Sequence, residues 1–167
     1  DYGVRLGVAY YRRHYPMWER MKEILASGEI GSLLSIRCVT SNPFDMGEGD
    51  EGYWRVVPEH GGGGPLMDIG SHRLDLFVDL LGEPTRIAAC CDTVVADIAT
   101  EDCASLAMRF ESGAHGDLQC FFGARIDSDE LSLIGTAGTL TARPLNGADL
   151  VVELDGERRV ESLPPPA

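Results

Sequence analysis

The second half of the sequence is a series of short β-type runs that follow one another at hairpin spacing. The runs cover residues 86–93, 104–110, 116–122, 130–134, 139–143, 150–154 and, more weakly, 158–160. Turn residues separate several of them, at 111–113, 135–138 and Asp155-Gly156. Such short links join antiparallel neighbours, because a parallel pair needs a long crossover. We therefore expect an open, mainly antiparallel β-sheet.

Two helical patterns precede most of this series. Apolar residues recur at helical spacing between Pro16 and Gly28, and a second pattern runs over residues 65–81. Between the two patterns, residues 33–40 alternate as a strand and residues 42–59 form a long irregular loop in our interpretation. Two helices beside such a sheet cover one of its faces. The predicted class is α+β, with helices packed on one face of the sheet.

Composition and charge limit the partners. The 167 residues are 44% apolar and 25% charged, as in an ordinary globular domain, and their net charge is −13. An acidic surface repels nucleic acids and anionic membranes, and no apolar run approaches the roughly 18 residues of a membrane helix. The five cysteines form no C-x-x-C pair and indicate reduced core thiols. We expect a cytoplasmic protein with a small-molecule ligand, and neither nucleic acid nor membrane as a partner.

The most informative stretch is 61–75, in which four glycines lead into Asp68, His72 and Asp75. At about 100° per residue, these three side chains and Asp79 share one side of a helix. An imidazole with a carboxylate one turn away suits general acid/base chemistry, and glycines allow backbone to approach a ligand closely. The pattern also fits a solvated helix face. It could supply metal ligands too, but no second His or Cys cluster supports this, so we predict no metal site.

Residues 47–52, Gly-Glu-Gly-Asp-Glu-Gly, match the pattern G-x-G-x-x-G. They follow Asn42-Pro43-Phe44 instead of a strand, lead into no predicted helix, and contain three carboxylates that would repel a pyrophosphate. We interpret the stretch as an acidic loop and not as a dinucleotide-binding fingerprint.

Taken together, the motifs resemble the C-terminal domain of the glucose-fructose oxidoreductase, inositol dehydrogenase and MocA (Gfo/Idh/MocA) family of NAD(P)-dependent oxidoreductases. The resemblance covers almost the whole chain and rests on Gly7-Val8-Ala9-Tyr10-Tyr11-Arg12-Arg13 with Pro16, on Ser27-Gly28-Glu29-Ile30-Gly31, on Trp54-Arg55, on Gly62-Gly63-Gly64 through Asp68-Ile69-Gly70-Ser71-His72 and Asp75, and on Gly135-Thr136-Ala137-Gly138. It implies the dihydrodipicolinate and glucose-fructose oxidoreductase-like C-terminal fold, and a homo-oligomer formed through the sheet face.

The resemblance also implies roles for individual residues. The cofactor would be NAD or NADP, bound mainly by an N-terminal Rossmann domain, and the substrate a sugar, polyol or related hydroxy compound. Asp68 and His72 match the family's D-x-G-x-H motif, which acts on substrate hydroxyls with a lysine from a Glu-Lys-Pro motif, so they are the expected catalytic residues. The expected substrate-binding residues are Tyr11, Arg12, Trp54, Arg55 and Asp75, and the expected cofactor-binding residues are Arg12 and Arg13.

The chain departs from the family in having no Glu-Lys-Pro motif, since its only lysine is Lys22. We therefore expect residues 1–13, with the apolar run 4–11 as a strand, to be the end of an N-terminal Rossmann domain and its linker. Residues 14–167 would form the substrate and oligomerisation domain, a fragment that is inactive alone. Two alternatives stay open: an NAD-dependent glycosidase of the same family, and a non-enzymatic sugar- or cofactor-sensing regulator on the same scaffold.

Overall fold

The computed structural model describes residues 3–166, which contain one eight-stranded sheet. The strands are β1 Leu33–Ser41, β2 Pro84–Asp92, β3 Cys103–Phe110, β4 His115–Phe121, β5 Ser128–Gly135, β6 Gly138–Ala142, β7 Asp149–Leu154 and β8 Glu157–Ser162. Their order across the sheet is β2-β3-β4-β1-β5-β6-β7-β8. Neighbours are antiparallel except β1 and β4, which are parallel and joined by a long connection. The predicted α+β class and mainly antiparallel sheet are confirmed.

The α-helices of the described chain are α1 Pro16–Ala26, α2 Pro58–Gly61 and α3 Ser71–Leu81. Helix α1 begins at Pro16, because the N–H that proline lacks would have no partner in a first turn. It ends ahead of Gly28, whose φ of 78° suits glycine. One face of α1 is buried through Met17, Trp18, Met21 and Ile24. The helical pattern after Pro16 is therefore confirmed.

The core lies between one face of the sheet and helices α1 and α3. Burial alternates along β3 and β4, as it does on strands that have one covered face. Leu76 and Phe77 of α3 are fully buried against this face. Arg37, Asp117 and Gln119 of the central strands point the other way and are exposed. The sheet therefore has one covered face and one open face.

The segment before α1 differs from the prediction. Residues 4–10 have no regular structure, and Val4 and Leu6 are 80% and 96% exposed. The predicted strand over residues 4–11 is therefore wrong for this chain, because an extended segment forms a strand only where another strand offers it hydrogen bonds. The loop prediction for residues 42–59 is also incomplete, since a 3-10 turn, Tyr53–Val56, lies within it and α2 begins at Pro58.

The cysteines divide between core and surface. Cys38 and Cys120 are buried in the sheet, as predicted, whereas Cys90 and Cys91 are exposed. The last two lie on β2, an edge strand that is exposed along almost its whole length. The core-thiol prediction is wrong for them, because an apolar run at a sheet edge need not be covered. Among residues 3–166, no helix is both long and apolar enough to cross a lipid bilayer.

Candidate active site

Glycines and one acidic side chain position the segment that carries Asp68 and His72. A Cβ on Gly61 would stand 2.5 Å from the Arg55 carbonyl oxygen, and a Cβ on Gly64 would overlap the Glu101 carbonyl. The Glu101 carboxylate accepts hydrogen bonds from the backbone N–H of Gly64 at 2.9 Å and of Leu66 at 3.1 Å. The carboxylate thus accepts hydrogen bonds from backbone N–H groups that lack partners at the start of a helix. These two glycines allow close packing of backbone on backbone, and not the approach to a ligand that we expected.

A π-helical turn, Leu66–Gly70, joins this glycine segment to α3. A Cβ on Gly70 would stand 3.0 Å from Sγ of Cys120, so the turn lies close against β4. Because a π turn contains more residues than an α turn, the uniform spacing assumed from the sequence fails here. The predicted acidic face is also divided: Asp68 joins His72 in one cleft, whereas Asp75 faces the segment before α1, where Arg13 binds its carboxylate.

Four of the predicted site residues line one cleft of about 210 Å³: Trp54, Arg55, Asp68 and His72. Nε of Arg55 lies 3.5 Å from Oδ1 of Asp68, and the side chains of the pair are 35% and 33% exposed. Cζ of Arg55 lies 4.9 Å from the centre of the Trp54 ring. An ion pair this exposed contributes little stability. Its groups remain accessible to the hydroxyls of a polar ligand.

Aromatic rings orient His72. Its ring centre lies 5.5 Å from that of Tyr10, in an edge-on arrangement, and 5.7 Å from that of Tyr11. Its Nδ1 is buried and has no hydrogen-bond partner within residues 3–166. The carboxylate of Asp68 therefore does not fix the imidazole tautomer in this structure, and ring contacts hold the side chain instead.

The pKa of His72 is lowered from its ordinary value. Burial is the main cause, and the guanidinium groups of Arg12 and Arg73 lower the pKa further, whereas Asp68 and Asp75 act in the opposite sense. The imidazole is consequently neutral at neutral pH. It then has a lone pair that can take a proton from a bound hydroxyl group.

Arg13 and Asp75 bind each other. Nε and Nη2 of Arg13 donate to the two carboxylate oxygens of Asp75 at 2.7 and 2.5 Å, and Nη1 donates to Asp79 at 3.2 Å. Asp79 also accepts a hydrogen bond from the indole of Trp18 at 2.8 Å. These contacts tie the segment before α1 to α3. The predicted roles of Asp75 toward substrate and of Arg13 toward cofactor remain predictions, but both side chains already have a structural partner.

Tyr11 and Arg12 lie beyond His72. Tyr11 is 49% exposed, and Cζ of Arg12 lies 5.0 Å from the centre of its ring. Arg12 lines a second, larger cleft of about 700 Å³. Its Nη1 is buried and has no hydrogen-bond partner in the described part of the chain. Tyr11 therefore borders the His72 site, whereas Arg12 reaches the neighbouring cleft.

Sequence reasoning missed two residues that shape the site, Arg73 and Glu101. Arg73 is 4% exposed and pairs with Asp129, with Nη2 2.7 Å from Oδ1. The sequence did contain a signal for Arg73. It stands three positions before the apolar Leu76 and four before Phe77, so it lies on the buried side of the helix. No sequence signal marked Glu101, since the backbone groups that it binds lie 35 and 37 residues away.

Comparison with protein-family models matches residues 18–141 to the GFO/IDH/MocA C-terminal domain. Oxidoreductase P35 of Formosa agariphila is 31% identical over 144 residues, which cover 83% of this chain and 43% of that protein. D-xylose 1-dehydrogenase (NADP(+)) 2 of Haloferax volcanii is 30% identical over 172 residues, which cover 99% of this chain and 50% of that protein. The chain thus spans about half the length of the curated relatives it matches.

A solved structure shows the same fold. The inositol dehydrogenase homolog complexed with NAD+ from Azotobacter vinelandii has a TM-score of 0.83 to this chain at 23% sequence identity. The match covers 93% of this chain and 43% of that one.

Proposed function

The chain belongs to the GFO/IDH/MocA C-terminal domain family, and from this premise we propose that it is the substrate-binding half of an NAD(P)-dependent oxidoreductase. The substrate would be a sugar, polyol or related hydroxy compound. One observation carries the proposal: the neutral, half-buried imidazole of His72 lines a cleft together with Asp68. Oxidation of a secondary alcohol requires such a group, because the hydroxyl proton must leave as the hydride departs from carbon.

The proposed domain division assigns residues 1–13 to the end of a Rossmann domain and its linker, and residues 14–167 to the substrate domain. The exposure of apolar side chains on the extended segment supports this division: Val4, Leu6 and Val8 are 80%, 96% and 69% exposed. Such side chains are expected on a strand whose neighbours belong to another domain. The segment ends at Tyr10 and Tyr11, which contact His72. Ligands of open α/β sheets bind at the carboxyl ends of strands, so this division would place the cofactor beside His72.

The described residues around His72 suit the reacting end of NAD(P). Tyr10 and Tyr11 provide flat apolar walls beside the His72 imidazole. Arg13 is a weaker candidate, because Asp75 and Asp79 already occupy its guanidinium group. The bound nicotinamide would supply the hydride acceptor or donor.

In the proposed mechanism, His72 and Asp68 act together on the substrate hydroxyl. Because Nδ1 of His72 is buried, Nε2 is the atom left to take the hydroxyl proton. Asp68 would accept a hydrogen bond from the same or the adjacent hydroxyl and so orient the reacting carbon. The Trp54 ring, 48% exposed at the edge of the cleft, would pack against the carbon face of a sugar.

The only lysine of the chain is not at this site. Nζ of Lys22 lies 2.9 Å from Glu19 and 3.3 Å from Asp79, on the side of α1 that faces α3. A lysine that assists His72 would therefore come from the preceding domain, as the family resemblance implies. For this reason we propose that the chain is inactive by itself.

The test is NAD(P)H formation, measured by absorbance, on the longer protein that contains this chain. We expect turnover with at least one neutral or charged polyol or aldose. His72→Asn should lower kcat/KM by about 10²-fold or more, while His115→Asn, a matched change at an exposed position on β4, should have no effect. Failure of every such substrate to reduce NAD(P)+, or full activity of His72→Asn, would contradict the proposal and favour a sensing role.

We also propose that the protein forms a homo-oligomer through the open face of the sheet and works in the cytoplasm. The exposed row of Arg37, Asp117 and Gln119 supports the first point, since opposite charges on one face can pair across a two-fold axis. The exposed free thiols of Cys90 and Cys91 support the second, because they persist in a reducing compartment. A monomeric mass in light scattering would contradict the oligomer.

A further inference from the structure

The second cleft contains positive charge that the proposed chemistry does not use. It encloses about 700 Å³ where β1 ends, β5 begins and the connection from β6 to β7 passes. Three arginines line it, Arg12, Arg73 and Arg143, and only two carboxylates, Asp127 and Asp129. Arginine side chains are thus concentrated here in a chain whose net charge is −13. We call it the guanidinium cleft.

Arg73 presents an unused donor in the guanidinium cleft. The residue is 4% exposed, and its Nε and Nη2 donate to a single oxygen, Oδ1 of Asp129, at 3.1 and 2.7 Å. Its Nη1 is buried and has no hydrogen-bond partner within residues 3–166. The Cys38 thiol interacts with this guanidinium, but burial raises the pKa of Cys38 to about 12, so the thiol stays a neutral and weak acceptor. A buried charged donor without an acceptor is unfavourable, and an anion would satisfy it.

Arg12 presents a second unused donor to the same cleft. Its Nη1 is also buried and unpartnered in the described chain, and its stacking on Tyr11 restricts the side chain. Arg143 differs, because its side chain is 70% exposed and pairs with Glu130 at 3.3 Å. The unused donors thus belong to Arg12 and Arg73, whose guanidinium groups both act electrostatically on His72.

We propose that the guanidinium cleft binds the carboxylate or phosphate of an anionic sugar or polyol whose reacting hydroxyl lies at His72. The inference rests on the proposed function and narrows its substrate class to hydroxy compounds that carry an anionic group. Two oxygens of one anion can accept from Arg12 and Arg73 together, whereas a neutral hydroxyl is a weaker acceptor. Tyr11 links the two sites, because its ring centre lies 5.7 Å from that of His72 and 5.0 Å from Cζ of Arg12. One molecule with an extended six-carbon chain can therefore reach from His72 to Arg12.

The test compares D-gluconate with D-glucitol, since the two share a six-carbon hydroxylated chain and differ in the carboxylate. Isothermal titration calorimetry of the full chain at low ionic strength gives the Kd of each probe, and inorganic phosphate tests the other source of anion. We expect D-gluconate to bind at least about tenfold more tightly than D-glucitol. Arg12→Gln and Arg73→Gln should each remove most of this preference. Arg158→Gln, a matched change on the exposed strand β8, should leave it intact.

Arg73→Gln also breaks the pair with Asp129 and can therefore unfold the chain. Arg12→Gln carries the test in that case, because Arg12 is only half-buried and its guanidinium has no ion-pair partner in the described chain. Circular dichroism of each variant verifies its fold before titration.

The outcomes separate this inference from the proposed function. Three results would overturn the proposal that the guanidinium cleft binds an anion: equal Kd values for D-gluconate and D-glucitol, a preference that survives Arg12→Gln, or no binding of either anion. The proposed function would still stand in each case. Arg12-dependent binding of phosphate alone would support the cleft as a phosphate site. If Arg12-dependent anion binding is found but no polyol or sugar, charged or neutral, reduces NAD(P)+ with the longer protein, the proposed function fails and the anion site stands.

Discussion

Asp75→Asn should destabilise the chain. The Asp75 side chain is 5% exposed, and its two oxygens accept hydrogen bonds from Arg13 at 2.7 and 2.5 Å. Asparagine keeps the shape of the side chain, but it removes the charge and turns one acceptor into an NH2 donor that faces the guanidinium. The substitution therefore weakens the link between α3 and the segment before α1.

The expected loss is about 2 kcal/mol. Removing one partner of a fully buried ion pair costs about 3–5 kcal/mol. The Arg13 side chain is 38% exposed and keeps its contact with Asp79 at 3.2 Å, so water screens part of the lost interaction and we discount the figure. In a domain of this size, a change of 1 kcal/mol shifts Tm by about 2–4 °C. We expect Tm to fall by about 4–8 °C.

Thermal and urea unfolding followed by circular dichroism measure this change. Glu19→Gln is the control, because Glu19 is 51% exposed and pairs with Lys22 at 2.9 Å, so its loss should cost less than about 0.5 kcal/mol. The reasoning is refuted if Asp75→Asn unfolds like the unmodified chain. It is also refuted if the variant of the longer protein shows an increased KM for its polyol at unchanged Tm, since Asp75 would then bind substrate, as the resemblance implied.

Three further predictions concern other residues. Asp102→Asn should cost about 2 kcal/mol, because the carboxylate accepts hydrogen bonds of 2.7–2.8 Å from the backbone N–H groups of residues 94–96. Burial alone would raise the pKa of Asp102, but these hydrogen bonds lower it below its ordinary value. The stability that Asp102 gives the fold should therefore be complete above about pH 4 and be lost as acid protonates the carboxylate. Gly64→Ala should prevent correct folding or cost about 3 kcal/mol or more, because its Cβ would overlap the Glu101 carbonyl. The acid limb of kcat/KM for the proposed full-length enzyme should lie below about pH 6.5, since the lowered pKa keeps His72 neutral to a more acidic pH than an ordinary histidine.

Unfolding curves and a pH–rate profile test these predictions, with controls from the same chain. Asp97→Asn lies in the same loop as the partners of Asp102 and is exposed, so it should leave Tm unchanged. Gly7→Ala has open space around its Cβ and should be tolerated. The Asp102 argument is contradicted if Asp102→Asn and Asp97→Asn are equally stable. The Gly64 argument is contradicted if Gly64→Ala is fully stable, and the His72 argument if the acid limb lies above pH 6.5.

Local patterns were sufficient for most of the secondary structure. The proline at residue 16 and the glycine at residue 28 bound a helix, and alternation with short turns marks the strands, because both signals act between residues close in the chain. The prediction of a strand over residues 4–11 is wrong because it depends on more than the local sequence. Its composition is that of a strand, but strand formation depends on a neighbour, and the described chain supplies none.

The geometry of the candidate site was predicted only in part. Asp68 and His72 meet in one cleft as expected. The helical spacing also grouped Asp75 with them, and the structure separates it, because Arg13, 62 residues away, binds its carboxylate. Spacing along a helix shows which side chains share a face, and it does not show which distant group that face meets.

The sequence by itself determined the α+β class and most of the order of helices and strands, and it singled out Asp68 and His72 as candidates for proton transfer. These depend on local periodicity, turn chemistry and the types of residue present. Only the tertiary structure decided which charges neutralise one another and which stay unpaired. Arg73 meets Asp129 across 56 residues and leaves Nη1 without a partner, because the order of the strands brings distant positions together, and no local pattern encodes that order.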